Sequence, residues 1–258
     1  MTDSPSPPEN PNHRNSGWSP PVSRIKVSGV PEGAKNLNVD GRKLVSPLQG
    51  FGQMWQKTFK VRLSGIQMTP VEVMQIWKER FSDFQPPENR FYPTMVGIKP
   101  GETLLIEAKV PALPGTPSVL PVVTGVIVLY ADDEMFTVMN PQGHPLSGWN
   151  TFSAYEEDGC VVAQVQEQSR PSDPLYEFFF RFFGSSGQQD KIWIHVLNSL
   201  ADYFGVKGQV TVSKTLIDPN VQWSQSKNIW HNAAIRTMFY MLGTPFRWIS
   251  KPFKRKKG

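Results

Sequence analysis

At 258 residues, with 39% hydrophobic and 19% charged content, the chain has apolar material for one large domain or two small ones. The net charge of +5 belongs to the C-terminus: Arg247, Lys251, Lys254, Arg255, Lys256 and Lys257 occur there with no acid, and without these six cations about −1 remains. Basicity confined to a tail argues against a nucleic-acid-binding domain, which spreads Lys and Arg over a folded face. A single cysteine, Cys160, excludes an intrachain disulfide and a Cys-based metal cluster. The opening MTDSPSPPENPNHR lacks the apolar core of a secretory signal, and no stretch reaches the roughly 18 apolar residues of a membrane span, so a cytoplasmic protein is expected.

Residues 1–23, rich in Pro, Ser and Asn, offer little to bury and read as a disordered leader. Residues 24–50 form an irregular approach segment. From Met54 to Ile66, Trp55, Lys57, Phe59, Val61 and Leu63 share one parity, which predicts a half-buried strand with one intruding lysine. Thr69-Pro70 is an N-cap followed by proline at the first helical position, and apolar residues at three- and four-residue spacing follow to Phe84. From Asn89 to Arg170, short β-rich runs alternate with turn signals such as Pro114-Gly115 and Asp158-Gly159, which predicts an antiparallel meander. Helical period returns in an aromatic segment from Pro174 to Phe183, in a second segment over 188–204, and in a last helix from Ser224 to Leu242 closed by Gly243.

Gly143, His144, Pro145, Gly148 and Phe152, followed by Ser169-Arg170-Pro171, sit within this order of elements. Together these features resemble the START-like, or SRPBCC, helix-grip superfamily. Within it they resemble a bacterial family of unknown function with a G-H-P-x-x-G-x-x-x-F motif followed by S-R-P. The likeness covers roughly residues 50 to 205, and Trp149 and Asn150 stand where family members often carry acids. It implies an α+β helix-grip fold, with a curved antiparallel sheet of about six to seven strands wrapped on a long C-terminal helix. The helix-grip domain is then expected over 51–205, an extension containing a helix over 206–243, and a basic aromatic tail over 244–258. The superfamily implies binding of apolar ligands, with catalysis only in some branches.

A helix lying across a curved sheet leaves an apolar cavity between them, with Trp149, Phe152, Phe179, Trp193, Val196 and Leu200 as its expected lining. His144, in a Gly-His-Pro turn, is either an acid–base group near neutral pH or a turn histidine bonded to backbone. Glu167 shares parity with Val165 and Ala163 and so points inward, where a carboxylate needs a partner. Arg170, on the opposite parity, either reaches a ligand acid or makes a structural salt bridge. His195 and His231 lack metal-ligand spacing, so neither a metal nor a cofactor is expected. The aromatic helix is either core, pocket wall or lid. Phe246, Arg247, Trp248, Lys251, Lys254, Arg255, Lys256 and Lys257 suit either an anionic membrane surface or solvent. The expected function is non-catalytic binding of an apolar or amphipathic, lipid-like small molecule, at a membrane surface in one version. An enzyme using His144 with Glu167 or Arg170, and a protein that docks a membrane or another protein, are the alternatives.

Overall fold

The computed structural model describes residues 17–92, 94, 96–111, 118–182 and 185–243. One antiparallel sheet of eight strands has the order β2-β3-β4-β5-β6-β7-β1-β8. The strands are β1 (Met54–Leu63), β2 (Asn89–Tyr92), β3 (Thr103–Pro111), β4 (Ser118–Ala131), β5 (Met135–Met139), β6 (Leu146–Glu157), β7 (Cys160–Pro171) and β8 (Thr211–Asp218). Consecutive strands from β2 to β7 are neighbours, as short turns require, and β1 returns to pair with β7. Helix α1 (Pro70–Glu79) starts at Thr69, whose side chain accepts from Glu72 N while the Glu72 carboxylate reaches back, a reciprocal capping box. Helices α2 (Pro174–Phe182) and α3 (Ser185–Tyr203) lie between β7 and β8 in the chain, and α4 (Ala233–Leu242) comes last among the described elements.

The concave face of the sheet grips α3. Phe59, Val61 and Leu63 of β1, Val161, Ala163 and Val165 of β7, and Val196, Leu197 and Leu200 of α3 form one core together with Val73, Met74 and Trp77 of α1. The arrangement is an α+β helix grip, with one strand more than the six or seven expected. The additional strand, β8, escaped the sequence because its first seven residues are all exposed, so TVSKTLID carries no burial alternation. It pairs with β1 from Lys60↔Thr211 to Trp55↔Leu216 and occupies what would otherwise be a free edge.

The opposite face of the sheet is covered by segments expected to be irregular or separate. Ile25 and Val39 are buried with Tyr92 and Leu105 in a second, smaller core. Trp18, in the stretch read as disordered leader, bridges to Tyr130 where β3 no longer covers β4, and the two rings sit 4.9 Å apart. Helix α4 lies against β4: Val123 N donates to Thr237 Oγ1 (3.2 Å), Asn38 Nδ2 donates to Val123 O (2.9 Å), and Arg236 Nε donates to Asn38 Oδ1 (2.9 Å).

The single helix expected over 224–242 is two elements. A 3-10 segment, Trp223–His231, gives way to α4 at Asn232. The Asn232 side chain explains the break: its Oδ1 accepts from Ile235 N (3.0 Å) and caps α4, while its Nδ2 donates to Asp173 Oδ2 (2.8 Å). Asp173 Oδ1 in turn caps α2 by accepting from Leu175 N and Tyr176 N. One buried Asp–Asn pair thus joins the N-termini of two helices, and burial pushes the Asp173 carboxyl up from its ordinary range.

Candidate functional site

Strand alternation that buries Phe59 and Val165 also sends Lys57, Trp55, Glu167 and Ser169 to the concave face, because all lie on the same parity. In the antiparallel register Lys57 sits opposite Glu167, and Trp55 opposite Ser169. Both charged residues are buried, Lys57 at 3% and Glu167 at 1% exposure. Burial of this kind demands partners, and the first turns of α3 supply them. Lys57 Nζ donates to Asp190 Oδ1 (2.9 Å) and Gln189 Oε1 (3.3 Å), and Lys214 of β8 pairs with the other Asp190 oxygen. Glu167 Oε1 accepts from Ser169 Oγ (2.5 Å), and its Oε2 accepts from Gln189 Nε2 (2.8 Å) and Trp193 Nε1 (3.0 Å). Gln189, Asp190 and Trp193 fall on one helix face by their spacing.

Beside this network lies a pocket of about 240 Å³. Trp55 and Phe180 supply aromatic wall, and Leu146 and Pro171 supply apolar surface. Lys57, Glu167, Ser169 and Gln189 line it from the network, and Gln53, Glu177 and Arg181 complete it. Glu177 Oε2 accepts from Gln53 N (3.3 Å), whereas its buried Oε1 has no hydrogen-bond partner and faces Arg181 Nε at 3.6 Å.

The expected apolar cavity in the middle of the grip is filled. Phe136 and Phe152 stack at 4.6 Å, and Trp77, Phe81 and Trp193 meet Phe152 edge-on at 5.2 to 5.6 Å. Phe152, Val196 and Leu200 are therefore packed core residues and do not line the pocket. Trp193 is buried and reaches the site only through its indole bond to Glu167. Trp149 takes the opposite parity from Phe152 on β6, facing away from the helix. On α2 it is Phe180, not the half-buried Phe179, that enters the pocket. Periodicity finds which residues point inward, but it does not distinguish a core from a cavity.

Of the three acid–base candidates, the structure brings Glu167 alone into the pocket. His144 lies in the turn between β5 and β6, where its Nδ1 accepts from Leu146 N (3.1 Å) and burial pushes its pKa down to about 4. That makes it a neutral backbone clasp at pH 7. Arg170 is fully buried on the other parity, donating from Nη2 to Asp218 Oδ2 (2.8 Å) and holding that carboxyl below its usual range. It fastens β7 to the end of β8. The aromatic helix keeps Tyr176 and Glu177 buried but exposes Phe178 and Phe182; Phe183 lies outside the described residues, as do the tail residues Phe246, Arg247, Trp248, Lys251, Lys254, Arg255, Lys256 and Lys257.

The two short motifs are cross-strand partners: Leu146 faces Pro171, Ser147 faces Arg170, and Gly148 faces Ser169. Gly148 (φ 148°) lies where a β-carbon would run into the Gln168 carbonyl, and Gly143 (φ 94°) where one would meet that of His231. Gly143 O also accepts from Ala233 N (2.9 Å), which seats α4. These glycines shape the scaffold, and Ser169 and Pro171 are the motif residues that enter the pocket. Lys57 announced itself as a polar intruder in an apolar strand. Trp55 shared its inward parity, whereas Glu177, Phe180 and Gln189 carried no such signal, because α2 and α3 must pack before they converge.

Among the described residues no group of three or more His, Cys, Asp or Glu side chains is placed to hold a metal, and no helix is long and apolar enough to cross a membrane. No protein-family model matches the chain, and no curated protein matches it. Solved structures that align with it include a START superfamily protein from Mycobacterium smegmatis, at 15% identity and TM-score 0.39, covering 60% of this chain and 98% of that one. A conserved protein from Geobacillus kaustophilus aligns at 8% identity and TM-score 0.41, over 61% of this chain and 98% of its own. The di-domain ARO/CYC StfQ from the steffimycin biosynthetic pathway aligns at 8% and 0.43, over 59% of this chain and 50% of its own.

Proposed function

We propose that this protein binds a small amphipathic molecule, without transforming it, in the pocket between the ends of β1 and β7 and the helices α2 and α3. The observation that carries the reading is the lining: aromatic and apolar on one side from Trp55, Phe180, Leu146 and Pro171, and polar on the other from Lys57, Glu167, Ser169 and Gln189. A ligand's apolar part would lie along the first set, and its hydrogen-bonding end would meet the second. Size sharpens the class. At about 240 Å³ the pocket falls below the roughly 300–1,000 Å³ typical of drug-sized ligands, and the stacked Phe136–Phe152 core closes the way inward. Sterols, polyketides and long acyl chains are therefore poor candidates. The carboxylate Glu167 is held by three donors, which suits an anchoring acceptor better than a mobile base.

Native mass spectrometry of the purified full chain, alone and as Ser169→Leu, tests the reading. A small adduct on the wild-type chain that the variant loses is the expected result. A co-purifying long-chain lipid, or a small adduct that survives Ser169→Leu, would overturn it.

A further inference from the structure

The apolar residues left exposed are not scattered. Helix α2 turns Glu177, Phe180 and Arg181, spaced i, i+3 and i+4, toward the pocket and leaves Phe178 and Phe182 exposed on its other side. Its N-terminus is joined to that of α4 by Asn232–Asp173 and by Ala234 N donating to the Tyr176 hydroxyl (3.1 Å). The 3-10 segment just before α4 exposes Trp223 and Trp230, the latter at 80%. In α4, Ala233 and Thr237 are buried against β4, while Met238 through Leu242 are all exposed, Phe239 at 65%. Three neighbouring elements thus present large apolar side chains to solvent, more than a surface facing only water keeps in one region.

The residues beyond α4 indicate the kind of partner that suits this region. Residues 244–258 carry six cations and no acid, interleaved with Phe246, Trp248, Ile249 and Phe253. A second copy of the chain would bring two such cationic segments together against their mutual repulsion. An anionic bilayer instead takes the cations on its headgroups and the Trp, Phe and Met side chains at the acyl boundary. We infer that α2, the 3-10 segment and α4 form a docking surface for an anionic lipid membrane, to which the six cations that follow α4 in the sequence add their charge. The surface lies flat on the bilayer and does not span it. This inference does not depend on what the pocket holds.

Co-sedimentation of the full chain with vesicles tests it, using phosphatidylcholine alone and phosphatidylcholine mixed with phosphatidylglycerol. The wild-type chain is expected to pellet with the anionic vesicles at low salt and to release as salt rises. Replacing Lys254, Arg255, Lys256 and Lys257 with Gln should weaken binding by two orders of magnitude or more, at about fivefold per cation. Phe239→Asp with Leu242→Asp, both at exposed positions, should weaken it by on the order of tenfold or more, with unfolding in denaturant confirming that the variant is folded. Three results would each overturn the inference: no pelleting with anionic vesicles at low salt, wild-type binding by the Phe239→Asp/Leu242→Asp variant, or self-association removed by that variant without vesicle binding.

Discussion

On β1 and β7 the same inward positions carry Phe59, Val61, Ala163 and Val165 toward one end and Trp55, Lys57, Glu167 and Ser169 toward the other. The first set meets Val196, Leu197 and Leu200 of α3 and continues into the stacked Phe136–Phe152 pair. The second meets Gln189, Asp190 and Trp193 and borders the pocket. One helix laid on one sheet therefore makes a solid apolar centre and a polar, partly open end. Binding capacity resides where the side chains change chemistry, not where the hydrophobic content is greatest.

The largest effect should come from breaking the solid centre. Phe152→Ala removes a ring in contact with four other aromatics, and unfolding in denaturant should show a loss of about 3–5 kcal/mol. At the polar end, Asp190→Ala leaves Lys57 buried without its carboxylate, and should cost about 3–4 kcal/mol by the same measurement. The double variant Lys57→Met/Asp190→Leu should recover much of that loss, since an apolar pair replaces the buried charges. If the single and double variants are equally unstable, the polar end is held by something other than this ion pair.

A pH series separates His144 from the pocket. Its pKa is about 4 in the folded chain, against an ordinary value of 6.5. Between those values the unfolded chain binds the proton and the folded chain does not, so this residue's contribution falls as pH drops from about 6.5 to 4. The loss amounts to up to about 3 kcal/mol. His144→Asn should flatten this part of the stability–pH curve, and an unchanged curve would place the titration elsewhere. The smallest effect concerns the covering elements. Asn232→Ala removes the cap of α4 and the bond to Asp173, for about 1–2 kcal/mol in denaturant unfolding.

Much of the architecture was legible because burial writes itself into period. Alternation from Trp55 to Leu63 marked β1, Thr69-Pro70 marked the start of α1, and the order of elements marked the grip. Glu167 was legible as inward for the same reason. The elements that were missed have no buried period: β8 lies exposed on an edge, and residues 17–45 are held by contacts with strands distant in sequence, such as Ile25 and Val39 with Tyr92 and Leu105. The division of one concave face into core and pocket was illegible for a further reason. It depends on whether rings from α1, β5, β6 and α3 meet, and Trp77, Phe136, Phe152 and Trp193 are far apart in sequence.

The most direct test of this account is calorimetric titration of the full chain with straight-chain primary alcohols of increasing length. Affinity should grow about fourfold per methylene among the short members. It should then level off once a pocket of about 240 Å³ is full. Affinity that keeps rising through the long-chain alcohols would contradict the account, because it would require an apolar cavity where Phe136, Phe152 and Trp193 are packed.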